Sequence, residues 1–418
     1  MHIWIINHYA NITYYDEGGR HYCFAKYLKG KGHEPVIFCS NAYHGIKKKY
    51  FKYVGRWTEK IQPSIKVPYV FVKNKTYSVN GVERIINMVD FYFNIKKAAK
   101  EYARLNGKPD IIYASSVHPL TLLAGIQLSK FFKVKCVCEV RDLWPESLIA
   151  YGIIGKKNII TRALRLLEHY IYRKCDALIF TMEGGYQYII EQHWDSSVPK
   201  DKVYIINNGI DLAEYRDNLE NYSVKDVHLD DKHLFKVVYV GSIRKVNNIG
   251  LLLDIAKNVD NKSIVFLIWG SGDELEDLKN KVVKEDIKNV FFKGRVEKKY
   301  IPYITSKSNL NIAHNGQSSI FKYGISFNKI FDYFAAGIPI LCDFESSYNP
   351  VITFGAGVEV QSTDPKNVAK EITRIAELDE KTKARFSDGA ITAAQYYNYE
   401  KLTEELISIF NNLKDEML

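Results

Sequence analysis

Short apolar runs rich in β-branched residues alternate with helical patterning along almost the whole chain, and this alternation restricts the fold more than any other feature. A strand that returns through a helix to the same sheet makes a parallel crossover. A chain of such units therefore folds as a doubly wound parallel sheet with helices on both faces. The first half opens with a strand over residues 3–7, a loop over 8–18 and a helix from about Gly19 that stops at Gly30-Lys31-Gly32-His33. Strands at 35–39, 110–114, 135–140, 177–180 and 203–206 follow, with helical patterning at 82–105, 120–131, 159–174 and 185–192 between them. The second half restarts at 236–240 and repeats the logic, with strands at 263–269, 290–292, 310–313 and 340–343. Ligands of such sheets bind beyond the carboxyl ends of the strands. The pattern predicts an α/β protein of two Rossmann-like domains facing a central cleft.

At 418 residues the chain exceeds one ordinary core, and two domains are expected. The polar, aperiodic stretch 211–235 reads as their connection. The expected boundaries are 1–212 and 213–397, with a terminal helix at about 398–418 packing back on the first domain. The longest uncharged stretch, 111–129, holds Ser115, Ser116, His118, Pro119 and Gln127 and is a poor membrane span. The opening MHIWIINHYA reads as a buried strand rather than a signal peptide. The six cysteines are scattered, and Cys136 and Cys138 are expected on opposite faces of their strand. No disulfide framework or metal-ligand spacing emerges, so a reducing cytoplasm is the expected compartment.

The charge is unevenly divided. Residues 1–210 hold 31 Lys and Arg against 17 Asp and Glu, a balance of +14; residues 211–418 hold 27 against 31, a balance of −4. A basic N-terminal half suits an anionic partner such as phosphate or an acidic membrane face. Lys47–Lys52, with Arg56, Trp57 and Lys60, is basic and aromatic enough to lie on acidic lipid. No nucleic-acid module is visible, and the basic residues are dispersed.

The segment YGISFNKIFDYFAAGIP, residues 323–339, carries the sharpest signal. Gly324, Ser326, Asn328, Lys329 and Asp332 crowd a loop running into a helix, whose N–H groups and dipole favour an anion. Gly337 and Pro339 stop that helix. A ribose and diphosphate would suit this array, as would an ordinary capped helix. Gly18-Gly19-Arg20 opens a helix after the first strand and is either a phosphate contact or a plain helix-start turn. His118 follows a central strand, where it is either structural or functional. Arg141, Asp142 and Glu146 sit in EVRDLWPES after another strand. There they either pair internally (Arg141 with Asp142 or Glu146) or recognise a polar substrate. In the second half, Gly241, Arg244 and Lys245 end one strand and Gly270 another. Those two cations either hold a diphosphate or form a solvated loop.

Taken together, NHYA, GGRHYCFAKYLKGKGHE, SSVHPLTLLAG, EVRDLWPES, NNGID and YGISFNKIFDYFAAGIP resemble family 4 of the GT-B glycosyltransferases over essentially the whole chain. The closest likeness is to the bacterial surface-polysaccharide branch that includes the N-acetyl-L-fucosamine transferases. The resemblance implies retaining transfer from a nucleotide sugar without a metal. It implies that Asp332 takes the ribose hydroxyls, that the backbone at Val296 meets the base, and that His118 contacts the donor sugar. The family's first acid falls on Gly324, so backbone groups of Tyr323, Gly324, Ile325 and Ser326 are expected to substitute, and Asn328 is expected among the donor contacts. The family's diphosphate Arg and Lys fall on Ser242 and Asn248, which shifts that duty to Lys329 and Arg20 first and to Arg244 and Lys245 next. The acceptor is expected against His8, Asp16, Arg141, Asp142 and Glu146.

The resulting expectation is a UDP-sugar donor, an N-acetylated amino or deoxyamino sugar, and a polyprenyl-diphosphate-linked saccharide acceptor in capsule or O-antigen assembly. No cofactor or metal is expected. The expected location is the cytoplasmic face of the plasma membrane, attached peripherally; self-association stays open. A UDP-sugar 2-epimerase of the same architecture and an inactive transferase-like partner are the alternatives.

Overall fold

The computed structural model describes residues 1–52, 55–78, 81–116, 118–362 and 364–415. It divides into two compact units, Met1–Asn207 with Tyr399–Leu418, and Asn208–Asn398.

The first unit is built on an eight-stranded sheet. Its strands are β1 (His2–Ile6), β2 (Glu34–Ser40), β3 (Trp57–Ile61), β4 (Pro68–Val72), β5 (Ile111–Ser115), β6 (Lys135–Val140), β7 (Ala177–Phe180) and β8 (Val203–Ile205). Their order is β3-β4-β2-β1-β5-β6-β7-β8, parallel throughout except for the edge pair β3–β4. Alternation along the strands sorts side chains between two faces. Ile3, Ile5, Tyr69, Phe71 and Tyr113 join Phe24 and Leu28 of the Arg20–Gly30 helix and Leu406 and Phe410 of the Tyr399–Asp415 helix in one core. On the other face Trp4 meets Phe38, Tyr102 and Phe132. The Val82–Asn106, Pro119–Phe132 and Ile159–Lys174 helices cover that face, the middle one packing against both neighbours.

The second unit carries six parallel strands. These are β9 (Phe235–Val240), β10 (Ile264–Trp269), β11 (Val290–Gly294), β12 (Leu310–Ala313), β13 (Ile340–Cys342) and β14 (Gly357–Glu359), in the order β11-β10-β9-β12-β13-β14. Val237, Tyr239, Phe266, Ile268 and Ile312 form a core with Leu252, Leu253 and Ile372 on one face. Ile330, Phe331, Tyr333 and Phe334 of the Asn328–Ala336 helix anchor a second cluster. In each sheet the order reverses between the first strand and its non-sequential neighbour, β1/β5 and β9/β12, which opens a crevice at the carboxyl edge.

Two sequence readings need correction. The stretch 211–235 is not plain connection, because a helix runs over Leu212–Asn221. The Asp211 side chain accepts the Glu214 N–H and caps it, and Tyr215 is buried. Cys136 and Cys138 share a face, as residues two apart in a strand do, and their Sγ atoms lie 3.9 Å apart. All six cysteines are free and buried. The β3–β4 ribbon and the Glu380–Tyr396 helix are additions to the sequence reading. Among the described residues, no helix is long and apolar enough to cross a membrane.

Candidate functional site

In the first unit, the β1/β5 crevice gathers residues from four loops. Asn7 bridges it, its Nδ2 donating to the Ser115 carbonyl at 3.1 Å. Beyond it, His8 Nδ1 lies 2.7 Å from His118 Nε2, and His8 Nε2 lies 2.9 Å from Asn74 Nδ2. The His8 ring is sandwiched between Tyr9 and Phe91. With Asn74 donating, His8 carries its proton on Nδ1 and donates it to His118 Nε2. His118 then holds its own proton on Nδ1, a buried atom with no hydrogen-bond partner among the described residues. Burial, with the Arg84 charge behind it, lowers His118 to about 3, so this imidazole is neutral at any working pH. Arg141, from the loop after β6, likewise has a buried Nε with no partner among the described residues. Two donors are thus left open at one sheet edge.

Arg20 is held by partners within the protein. Its guanidinium is buried, paired with Glu139 at 2.5 Å, and donates to the Ile206 and Asn207 carbonyls. Glu139 also accepts from Tyr113 and from Ser115, the latter at 2.5 Å, while His21 Nε2 lies 2.8 Å from the same Ser115 hydroxyl. Burial opposes ionisation of Glu139, but the Arg20, His21 and Arg141 charges overcome it and hold the acid at about 2. This network fixes the start of the Arg20–Gly30 helix beneath the crevice. Gly19 opens that helix at φ 90, a conformation that favours glycine, and Gly18 is buried beside it. Glu139 and His21 are positioning residues absent from the sequence reading; the signal was a carboxylate inside a buried strand.

Glu146 is also otherwise engaged. It pairs with Arg165 of the Ile159–Lys174 helix, not with Arg141. Asp142 rims a small pocket shared with Ser116, Trp144 and Glu168. Glu168 is buried and accepts from the Tyr172 and Tyr188 hydroxyls at 2.7 and 2.6 Å, and burial raises it to about 8. Asp16 is exposed at the end of the short Asn11–Tyr15 helix.

In the second unit, the β9/β12 crevice centres on Lys329. This residue lies in the first turn of the Asn328–Ala336 helix, whose N-terminus lacks a side-chain cap. Its Nζ donates to the His314 carbonyl at 2.9 Å and to the Tyr239 hydroxyl at 3.3 Å, and sits 4.4 Å from the Tyr239 ring centre. Burial lowers its pKa to about 8, with the Asp343 charge acting the other way. His314 ties Asp343 to the Asn248 carbonyl and so fixes the loop 241–248. Both are buried, and neither was singled out from sequence. Glycine is demanded where the loops meet. A Cβ on Gly270 would lie 1.8 Å from the Gly241 carbonyl oxygen, and one on Gly241 would lie 2.7 Å from the Tyr239 hydroxyl. Arg244 and Lys245 project into solvent from this loop.

One turn beyond Lys329, half-buried Asp332 faces a pocket with Asp211, Glu214, Tyr215 and Lys298. Burial raises it to about 6, against the pull of Lys298 and with the push of Glu214. Gly324 adopts φ 101 and ψ 174, a region essentially closed to other residues. Tyr323 and Ile325 are buried on either side of it. Ser326 is bound to the start of the unit, its hydroxyl accepting the Asn208 N–H at 2.8 Å and its carbonyl the Asn208 amide at 2.6 Å. Asn328 is exposed, and Val296 packs beside Trp269 and Ile304.

Each crevice therefore sets positive or donating groups at the carboxyl edge of a parallel sheet. Residues 22–214 match the family model described as Glycosyltransferase Family 4, and residues 223–392 match that described as Glycosyl transferases group 1. The chain belongs to the GT-B glycosyltransferases of these families. A probable glycosyltransferase, WbjE of Pseudomonas aeruginosa, is 24% identical over 318 residues, which cover 73% of this chain and 74% of that protein. Among solved structures, a sucrose-phosphate synthase from Thermosynechococcus elongatus superposes with a TM-score of 0.70 at 16% identity, covering 98% of both chains. HepE from Anabaena, solved in complex with UDP, superposes with a TM-score of 0.69 at 13% identity over 99% of this glycosyltransferase and 100% of HepE. These likenesses establish the fold of both units.

Proposed function

We propose that this glycosyltransferase moves an N-acetylated amino or deoxyamino sugar from a UDP-sugar to a polyprenyl-diphosphate-linked saccharide. The reaction would retain the anomeric configuration, need no metal, and serve surface-polysaccharide assembly at the cytoplasmic face of the plasma membrane. The observation that carries the reading is Lys329, a partly buried cation in the first turn of an uncapped helix at the β9/β12 switch point, with Asp332 one turn on. HepE, a neighbour in fold, was solved with UDP and with UDP-glucose, which supports a uridine nucleotide here.

In this reading the departing UDP develops negative charge on its β-phosphate. The Lys329 ammonium and the helix N–H groups stabilise that charge where other enzymes place a divalent cation. Asp332 accepts from the ribose hydroxyls. His118, fixed as the Nδ1–H tautomer by His8, donates to a hydroxyl of the donor sugar. The acceptor hydroxyl enters on the face that UDP leaves and gives its proton to the departing phosphate.

Titration calorimetry with UDP, GDP and dTDP, followed by transfer assays over a UDP-sugar panel, tests this. Wild type should bind UDP, Lys329→Ala should lose at least about tenfold in affinity, or 1.4 kcal/mol, and Asp332→Asn should weaken binding as well. Unchanged binding and turnover in both variants would refute the assignment.

A further inference from the structure

The Val82–Asn106 helix presents an outward side that the donor chemistry does not explain. Its inner side is spent on packing, with Asn87, Met88, Phe91, Ile95, Ala98, Ala99 and Tyr102 buried. Its outer side carries Val82, Ile85, Ile86, Val89 and Phe93 at helical spacing, and these are 38–73% exposed. Eleven positions at the helical rise make an apolar stripe about 16 Å long. Single exposed apolar residues need no explanation, but a contiguous stripe does.

The same side then turns basic at Lys96, Lys97, Lys100 and Arg104. Lys96 lies over the Tyr92 and Phe93 rings. At the other end, Lys47 pairs with Glu83 at 3.0 Å, which brings the exposed Lys48 and Lys49 alongside. The Ile159–Lys174 helix, in the same layer beyond Pro119–Phe132, repeats the pattern with exposed Ile160 and Leu166 beside Arg162. By contrast, the aromatic residues of the Lys47–Lys52 region chosen from sequence point inward. Tyr50 stacks on Tyr43, Phe51 meets Phe71, and Trp57 meets Tyr102.

We propose that this helical layer, led by Ile85, Ile86, Val89 and Phe93, is a docking surface for an anionic lipid bilayer. An apolar stripe bordered by lysines is the composition of a helix lying in the interfacial plane, where the chains enter the headgroup boundary and the cations meet lipid phosphate. A second copy fits less well. Interface cores are depleted in lysine, and the copy would bring an equally basic surface, +14 over residues 1–210, against this one. The proposal deepens the lipid-linked acceptor reading by naming the surface that would hold the enzyme at its substrate.

The test is vesicle flotation, with vesicles of phosphatidylcholine alone or with phosphatidylglycerol added. Wild type should float with the anionic vesicles and be released as salt rises. Replacing Ile85, Ile86, Val89 and Phe93 together by serine should reduce anionic-vesicle binding at least about tenfold. Val283→Ser, at a more exposed site in the second unit, should leave it unchanged. Lys96→Gln, Lys97→Gln and Lys100→Gln together should weaken binding and flatten its salt dependence. Circular dichroism and the denaturation transition of the first unit should match wild type in every variant, which confirms folding, and unchanged UDP affinity separates this surface from the donor site. Vesicle binding by the serine variant at the wild-type level would overturn the proposal. So would a concentration-dependent dimer dispersed by the same substitutions, which would make the face an interface between copies. Vesicle binding without sugar transfer would uphold the surface and count only against the acceptor reading.

Discussion

Lys329 and Asp332 are held away from their ordinary pKa values in opposite senses by one cause, burial. On the proposed reading, donor binding needs Lys329 charged and Asp332 ionised. Affinity should therefore rise with pH as Asp332 loses its proton near 6, and fall as Lys329 loses its proton near 8. A UDP-sugar is the right probe, because its diphosphate carries no proton titrating between these values. Calorimetry across that range should give a maximum near neutrality. Asp332→Asn should remove the acidic limb and Lys329→Arg the alkaline one. His118 should add no limb, since it is neutral throughout. Gly324 makes a separate prediction. Its φ of 101 and ψ of 174 strongly favour glycine, so the acid that the family resemblance implies at this place does not suit the backbone here. Gly324→Glu should lower stability by about 1–3 kcal/mol in denaturant melts without raising turnover. A gain in both would show that the backbone conformation does not demand glycine.

Among elements, the clearly periodic ones were legible from sequence. The Ile159–Lys174 helix and the strands around β5 and β6 fall where spacing puts them, because long amphipathic helices and continuous apolar strands carry a strong pattern. The β3–β4 ribbon was not legible, since β3 is an edge strand with two of five residues exposed and so lacks an apolar signature. The Leu212–Asn221 helix buries only Tyr215 and reads as polar chain. Site residues adjoining glycines and charges were visible as motifs. The buried His314–Asp343 and Arg20–Glu139 pairs were not, because each joins residues far apart in sequence. The Tyr399–Asp415 helix shows what an element contributes in energy. Leu402, Leu406, Ile409, Phe410 and Leu413 are all buried in the core of the first unit. Leu406→Ala should cost about 2–5 kcal/mol by chemical denaturation, through lost transfer energy and the cavity left behind. A loss under about 0.5 kcal/mol, typical of surface substitutions, would mean that this helix is not integral to that core.

At the scale of the whole molecule, the chain path makes the two units unequal. The second unit is one continuous segment, Asn208–Asn398, with its own sheet and core clusters. The first is discontinuous: Met1–Asn207 lacks six core side chains until Tyr399–Asp415 supplies them. A fragment spanning residues 208–398 should therefore fold cooperatively alone, whereas one spanning 1–207 should not, because it leaves that apolar face open to water. Every group assigned above to the nucleotide lies in the continuous unit. The 208–398 fragment should then bind UDP within about tenfold of the full chain, a difference of 1.4 kcal/mol. Residues 208–398 hold 25 Lys and Arg against 26 Asp and Glu, a balance of −1, so on this reading the affinity comes from Lys329 and one helix end rather than from overall attraction. Raising salt should accordingly weaken UDP binding less steeply than it weakens vesicle binding by the basic half. A cooperatively folded 208–398 fragment that gave no heat with UDP would place the nucleotide's main contacts elsewhere and remove the basis for assigning it to Lys329.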